Sequence, residues 1–260
     1  MGFLDKLFGK KKEEVSPGGS TIYRYPSQDD RKLQLPEDAG TYLEEIEAHF
    51  DSIFPGRESF VYHELISDIV HIDVHIMKPT EKEPFYVVFT TGMSDKPMAV
   101  THDVPKEQRR DYELAELFMF LPGSWDLGGE GTSAADIHPA HFWPIRMLKF
   151  LARFPHEYRT WLGYGHTIPN GPDYAPVDDS VSFGGAVLSG GTGPLCSMTA
   201  KDGRKINFYH LVPAYKEEIE YKLKYGMSAL EKVFQEKDLP MVLTPRRPNL
   251  CPDFKEVLDG

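Results

Sequence analysis

Apolar and polar residues follow regular spacings along this chain, and these spacings predict a sheet accompanied by three helical regions. The first clear pattern predicts a helix over residues 41–54, which Thr41 can cap and which Pro55-Gly56 ends. Its apolar residues recur every three or four positions and form one stripe: Leu43, Ile46, Phe50, Ile53 and Phe54. The stripe predicts that one face of this helix packs on the rest of the protein.

Strand patterns follow the first helix. Residues 59–65 and 69–77 predict a hairpin, because both are rich in β-branched and aromatic residues and Ser67-Asp68 separates them. Side chains of the second strand alternate between an apolar and a polar face, with Ile72, Val74 and Ile76 opposite His71, Asp73 and His75. Further strands are predicted over residues 84–91, 113–121, 183–188, 206–212 and 241–243.

A second helix is predicted over residues 143–154. Pro144 suits the first position of a helix, and Pro155 follows the predicted end. Lys149 is expected on the solvent-facing side. The residues expected on the buried side are Ile145, Leu148, Leu151 and Ala152.

Residues 214–236 predict a third helical region, which Gly226 is expected to break into two helices. Strands, a helix, more strands and then helices predict an α+β domain, with a mixed, mostly antiparallel sheet packed by helices. A single domain over residues 21–260 accounts for this pattern. Residues 1–20 are expected to be a flexible N-terminal segment with a linker at 16–20, dispensable for folding.

Charge and composition narrow the function classes. The chain has 29 Lys and Arg against 40 Asp and Glu, which gives a net charge of −11 and a pI near 5.4. This acidity argues against general affinity for nucleic acid. No apolar run reaches the roughly 18 residues that cross a bilayer, so no stable membrane insertion is expected. Cys196 and Cys251 are too few for a disulfide framework and favour a reducing, cytoplasmic location.

The common catalytic signatures are missing from the sequence, which has no P-loop, GxSxG, HExxH or CxxC. The sharpest candidate is His71-x-Asp73-x-His75, because alternation on a strand brings three ligand-type side chains to one face. A fourth ligand, from His63 or Glu64 on the paired strand, would complete a site for zinc or another divalent metal. The alternative interpretation is a polar, half-solvated sheet face without metal. No cofactor is otherwise indicated.

Two further groups carry candidate chemistry. Cys196 could act as a nucleophile only beside a base, and a buried, inert thiol is the simpler interpretation. Arg246-Arg247 is either a clamp for a ligand carboxylate or a structural salt bridge to the acidic body of the protein.

Four segments, taken in order, resemble the suppressor-of-fused family in its bacterial form. They are FYVVFTTGMSDKPM (85–98), ELAELFMFLP (113–122), WPIRMLKFLARF (143–154) and HLVPAYKEEIEYKLKYGMSALEKVF (210–234). The matched motifs are a Gly-x-Ser-Asp turn, a Glu-Leu strand, a Trp-Pro helix that ends in Leu-Ala-Arg, and a Glu-Glu helix. The matching positions are Gly92, Ser94, Asp95, Glu116, Leu117, Trp143, Pro144, Leu151, Ala152, Arg153, Glu217 and Glu218.

The resemblance implies a mixed α/β domain with no known catalytic activity. Animal members of the family bind a segment of Gli-type transcription factors in a cleft between two lobes, and this chain resembles the first lobe. Bacterial members are often proposed to be immunity proteins. The resemblance thus implies a non-enzymatic, cytoplasmic protein-binding domain, whose partner would be a protein such as a basic toxin that it neutralises.

The partner-binding candidate is the Gly-x-Ser-Asp turn, formed by Gly92, Ser94 and Asp95. The alternative interpretation of this turn is structural, with Gly92 permitting a tight turn and Asp95 accepting backbone N–H bonds. The alternative function for the whole chain is a metal-dependent enzyme that uses the His-x-Asp-x-His strand.

Overall fold

The structure is a computed structural model that describes residues 14–25, 39–64 and 69–254. The described residues form ten strands and four α-helices. The strands are β1 (Glu14–Val15), β2 (Thr21–Ile22), β3 (Ser59–Tyr62), β4 (Asp73–Met77), β5 (Phe85–Thr91), β6 (Leu114–Pro122), β7 (Thr167–Pro169), β8 (Gly185–Gly190), β9 (Ser197–Thr199) and β10 (Lys205–Ala214). The helices are α1 (Leu43–Ile53), α2 (Pro139–Tyr158), α3 (Lys216–Tyr225) and α4 (Met227–Glu236).

One eight-stranded sheet organises the fold, and a small β1–β2 hairpin stands beside it. The strand order is β3-β4-β5-β6-β10-β8-β7, with β9 paired to the first residues of β10. The β6–β10 pair is parallel and every other pair in the sheet is antiparallel. The predicted α+β class with a mixed, mostly antiparallel sheet is confirmed.

The sheet is buried on both faces, which explains why its central strands are continuously apolar. Helix α2 covers one face through Trp143 and Leu148, which are 1% and 0% exposed. Helix α1 covers the opposite face, where Phe50 stacks on Phe89 with ring centroids 3.9 Å apart. Side chains two residues apart on a strand lie on the same face of the sheet. Val212 of β10 therefore lies on the face that α1 covers, and α3 and α4 cover the rest of that face.

Helix α2 is longer than the sequence predicts, and both of its predicted limits are wrong. It begins at Pro139, and the His138 side chain accepts a hydrogen bond from the Ala140 amide at 3.2 Å. Pro144 and Pro155 lie inside the helix although each lacks an N–H donor. Burial of the apolar stripe from Trp143 onward offsets the two missing backbone bonds, because tertiary packing supplies most helix stability in proteins.

The C-terminal part of the chain follows the prediction more closely. Gly226 separates α3 from α4 at a φ of 85°, a conformation that favours glycine. The strand predicted over 241–243 is reduced to one parallel bridge between Val242 and Phe120, supported by a 2.8 Å bond from the Leu243 amide to the Phe120 carbonyl. None of the helices in the described ranges combines the length and apolarity that a membrane crossing requires.

The expected flexible linker at residues 16–20 is instead a turn that contacts helix α3. The Gly18 amide donates to the Leu223 carbonyl at 2.7 Å, and Ser16 is 4% exposed. The Lys222 ammonium donates to Ser20 Oγ at 2.8 Å. The sequence predicted a linker because Pro, Gly and Ser are common in flexible segments. The same residues also suit a tight turn, and local sequence does not distinguish the two structures. Residues 1–13 and the predicted Ser67-Asp68 hairpin loop lie outside the described residues.

Candidate functional site

The Gly-x-Ser-Asp turn leaves the end of β5 and points into the protein. Gly92 has a φ of 99°, and a Cβ atom at this position would lie 1.8 Å from the His71 carbonyl oxygen. Only glycine fits so close an approach. Gly92 and Ser94 are buried and Asp95 is half-buried, so the structure places the first two residues in the interior rather than on a surface open to a partner.

Ser94 belongs to a buried polar network centred on Glu116 of β6. One Glu116 carboxylate oxygen accepts from the Ser94 amide at 2.9 Å and from Ser94 Oγ at 2.6 Å, and the other accepts from Thr90 Oγ1 at 2.6 Å. Burial raises the pKa of Glu116 to about 7, against the opposing effect of these hydrogen bonds. The network joins β5, β6 and the turn.

Asp95 caps the chain entering helix α1. Its carboxylate accepts from the Gly40 amide at 2.6 Å and from the Tyr42 amide at 3.4 Å. The N-cap position is Tyr42 rather than the predicted Thr41, and the Tyr42 side chain makes no capping bond. The structural interpretation of the turn has direct support in these contacts. Its partner-binding role stays a prediction.

Part of the predicted metal site is assembled. Asp73 Oδ1 lies 3.0 Å from His71 Nε2, and Asp73 Oδ2 lies 2.8 Å from His63 Nδ1. Ligand atoms of these three residues all lie within 4.8 Å of one another. His63, considered as a fourth ligand from the paired strand, thus joins His71 and Asp73. Glu64 instead pairs with Arg153.

His75, the third member of the predicted triad, does not join this cluster. Strand alternation does place it on the Asp73 face, but that position lies under helix α1. Its ring stacks on Phe89 with centroids 4.8 Å apart, and Nε2 contacts Thr91 Oγ1 at 2.9 Å. His75 is 3% exposed, and burial lowers its pKa to about 4. The sequence pattern identified the strand face on which His75 lies, but it could not show which part of that face helix α1 covers.

A groove of about 850 Å³, which we call the aromatic groove, lies between the N-terminal hairpin and helices α2 and α3. Its walls come from residues 19–25, residues 103–104, the end of α2, the segment between residues 161 and 174, and α3 with the start of α4. Seven aromatic side chains line it: Tyr23, Tyr25, Phe154, Tyr158, Trp161, Tyr164 and Tyr174. The edge-on contact of Tyr25 with Phe154 has centroids 5.5 Å apart. Pockets of this kind, apolar with a few polar groups, are typical binding sites.

A lysine and a histidine are among the polar side chains that line the aromatic groove. Burial lowers the pKa of Lys222 to about 8. Burial, and next the charge of Lys222, lower the pKa of His166 to about 4, so this ring is neutral at pH 7. Trp161 stacks edge-on against His166, with centroids 4.5 Å apart.

Sequence reasoning missed most of the aromatic groove. The only available signals were the alternation of Tyr23 and Tyr25, which suggests one aromatic strand face, and the position of Lys222 three residues after Ile219 on a helix. Local spacing carries no signal for His166 either, because its place beside Trp161 depends on how separate segments pack. The walls come from five separate parts of the chain.

The two remaining candidates from the sequence, Arg247 and Cys196, lie in different environments. Arg247 is structural: its guanidinium donates to both Glu218 carboxylate oxygens, at 2.5 and 2.6 Å, and is 5% exposed. Cys196 is exposed rather than buried as predicted, and its Sγ lies 2.7 Å from the Gly191 carbonyl oxygen. The turn at residues 193–195 holds it at the surface.

Comparison with solved structures identifies proteins whose fold is similar to that of this chain. A putative SUFU (suppressor of fused protein) homolog from Neisseria gonorrhoeae aligns with a TM-score of 0.56 and 16% identity, over 81% of this chain and 97% of that chain. Drosophila Suppressor of Fused aligns with a TM-score of 0.57 and 13% identity, over 86% of this chain and 53% of its own. This chain thus spans about half of the Drosophila protein.

A third structure, that of the Sufu–Fu complex, aligns with a TM-score of 0.56 and 11% identity, over 84% of this chain and 98% of the matched chain. No curated protein matches the sequence. The family model described as suppressor of fused protein (SUFU) matches residues 68–248, which is more than half of the sequence. This chain belongs to the suppressor of fused protein family.

Proposed function

We propose that this chain is a non-enzymatic protein-binding domain that recognises its partner through the aromatic groove. The groove carries the proposal, because aromatic side chains that line a concave surface are the anchors that dominate protein interfaces. Membership of the suppressor of fused family supports it, and one solved relative is a complex of Sufu with Fu. The sequence also lacks the common catalytic signatures.

The proposed partner is a basic protein toxin, which this chain neutralises as a cytoplasmic immunity protein. The net charge of −11 favours association with a basic partner. Helix α1 contributes to this charge, since its four acidic residues have no Lys or Arg beside them on the helix: Glu44, Glu45, Glu47 and Asp51. Electrostatic attraction of this kind mainly accelerates association and weakens with salt.

A pull-down from the native host with matched variants tests the proposal. Tyr164 lines the groove and is 49% exposed, whereas Tyr225 lies outside it and is 52% exposed. We expect a protein captured by the wild type and by Tyr225→Ala to be lost with Tyr164→Ala. Failure to capture any specific protein at low and moderate salt, or equal capture by both variants, would count against the proposal.

The toxin-neutralising role needs a second measurement. The captured protein is expressed in a sensitive host, alone or with this chain, and growth is recorded. We expect co-expression of the wild type to restore growth and Tyr164→Ala to restore it less. A harmless partner, or growth that this chain does not affect, would remove the immunity role and leave the binding role in place.

A second candidate function is a divalent-metal centre formed by His63, His71 and Asp73, favoured by the closeness of their ligand atoms. Two imidazoles and one carboxylate suit zinc and leave a coordination position for water, as in metal-dependent hydrolases. Elemental analysis of purified protein tests it. We expect His71→Ala to lose a stoichiometric metal and His75→Ala to keep it, because His75 faces α1. Absence of metal from the wild type ends this candidate.

A further inference from the structure

The aromatic groove contains a buried lysine, Lys222. Lys222 is 5% exposed, and its ammonium donates one hydrogen bond, to the neutral Ser20 hydroxyl at 2.8 Å. Among the residues that the structure describes, no carboxylate forms an ion pair with it. A buried ammonium is costly unless an anion pairs with it, so this position favours a ligand that brings a negative charge.

The nearest acidic side chain of the groove is already engaged elsewhere. Asp103 accepts hydrogen bonds from the Tyr23 hydroxyl and from Thr21 Oγ1, the latter at 3.0 Å. His166 is neutral at pH 7 because burial lowers its pKa to about 4, so it adds no second positive charge. Arg24 also lines the groove, but its guanidinium pairs with the Glu14 carboxylate at 2.9 Å. Lys222 is thus the cation of the groove that no carboxylate of the described residues pairs with.

The surroundings of the ammonium determine what else the ligand must carry. Apolar side chains of Ile168, Leu223 and Met227 line the same groove as Trp161. The groove volume of about 850 Å³ accommodates several side chains. A free inorganic anion would leave these apolar walls uncovered, whereas an apolar body with one carboxylate would match both features.

We propose that Lys222 binds a carboxylate carried by an apolar, aromatic-rich segment of the protein partner, with the segment lying in the aromatic groove. This proposal rests on the proposed function and specifies the chemistry of the recognised segment. The general acidity of the surface and this local cation are compatible, because one acidic side chain can sit within an otherwise basic partner. The ligand carboxylate would accept a charge-assisted hydrogen bond from Lys222, the stronger kind of hydrogen bond.

Two matched peptides test the proposal without knowledge of the partner. The probes are acetyl-Ala-Phe-Glu-Phe-Ala-amide and the same peptide with Gln in place of Glu, titrated into the full chain by calorimetry. We expect the Glu peptide to bind about tenfold tighter or more, as a hydrogen bond between charged groups gives. Backbone NMR signals of residues 19–25 and 164–168 are expected to shift on its addition.

Two lysine variants identify the group responsible. Lys222→Met should abolish the preference for the Glu peptide, whereas Lys224→Met, on the same helix but outside the groove lining, should keep it. Methionine has a similar length and removes a buried charge, so the variant should fold, and its thermal midpoint verifies this. The NMR shifts of the wild type provide a measurement that needs no variant.

The outcomes separate this proposal from the proposed function. Equal binding of the two peptides, or a preference that Lys222→Met retains, overturns the carboxylate site even if a partner is captured through Tyr164. Binding of 3-phenylpropionate with no binding of either peptide overturns the protein segment in favour of a small acid. Lys222-dependent binding of the Glu peptide supports the site even if the pull-down recovers no partner.

Discussion

At the scale of single residues, the polar groups around the Gly-x-Ser-Asp turn connect parts of the chain that are far apart. Asp95 holds the start of α1, and Ser94 satisfies Glu116 within the sheet. Such buried networks are costly to break because each lost partner leaves an unsatisfied group. The turn therefore has a structural role that two substitutions can measure.

Asp95→Ala should lower the free energy of unfolding by about 1 kcal/mol or more, because the Gly40 and Tyr42 amides lose their acceptor. Urea denaturation measures the change. Glu107→Ala, which removes an exposed acid from the same loop, is the control and should cost almost nothing. If the two variants are equally stable, Asp95 is not a cap and its role as a recognition residue gains weight.

Glu116→Gln should change how stability depends on pH. Because burial raises the pKa of Glu116 from 4.5 to about 7, the folded protein holds one more proton than the unfolded chain between these values. The wild type therefore loses stability relative to Glu116→Gln as the pH rises through this window. The relative gain of the variant should be on the order of 2–3 kcal/mol between pH 4.5 and 8.

Urea denaturation at several pH values tests this expectation, and the difference between two proteins cancels the contribution of the buried histidines that both contain. Glu81→Gln, the same substitution at an exposed position, is the matched control. A difference between Glu116→Gln and the wild type that does not vary with pH would contradict the raised pKa.

At the scale of elements, α2 is the principal cover of one sheet face. The residues predicted to be buried are buried, with Leu148 at 0% and Leu151 at 1% exposed. Lys149, predicted to face solvent, is half-buried and donates to the His63 carbonyl at 3.3 Å. The helix passes over the end of the β3–β4 hairpin there, a contact that helical spacing alone does not predict.

Leu148→Ala should destabilise the protein by roughly 2–5 kcal/mol, because it removes buried apolar atoms and leaves a cavity between helix and sheet. Phe150→Ala is the matched control on the same helix, since Phe150 is 52% exposed. It should cost at most about 0.5 kcal/mol. Chemical denaturation compares the two, and a fully stable Leu148→Ala would refute the packing of α2 on the sheet.

At the scale of the whole molecule, the N-terminal hairpin closes one side of the aromatic groove. Composition alone predicted that residues 1–20 can be removed with little effect. The contacts of Gly18 with Leu223 and of Ser20 with Lys222 change that expectation. The hairpin is joined both to helix α3 and to the proposed binding surface.

A chain that starts at Thr21 should lose about 2 kcal/mol, at about 1 kcal/mol for each hydrogen bond removed. For a protein of this size, the thermal midpoint should fall by about 4–8 °C. A chain that starts at Glu14 keeps the hairpin and serves as the comparison. Equal midpoints for the two truncated chains would restore the original expectation that the segment is dispensable.

Sequence patterns determined much of the secondary structure, because neighbouring residues specify it. The apolar stripe that includes Ile46 and Phe50 predicted α1, alternation around Val74 predicted the strand and its two faces, and Gly226 predicted the break between α3 and α4. Ordered motifs also carried the resemblance to the suppressor of fused family, which the match over residues 68–248 confirms. The inferences about elements use residues that are close together in the chain, and each motif of the resemblance is itself short.

Tertiary structure alone decided which residues meet. Asp95 caps a helix start 53 residues away, and Lys222 reaches Ser20 across 202 residues. In the structure His63, and not His75, lies with His71 and Asp73. The reason is that helix α1 covers the part of the strand face that holds His75 and leaves another part open. Periodicity specifies the direction of a side chain relative to its own element. The neighbours that it finds depend on how distant elements pack, and local spacing carries no information about that packing.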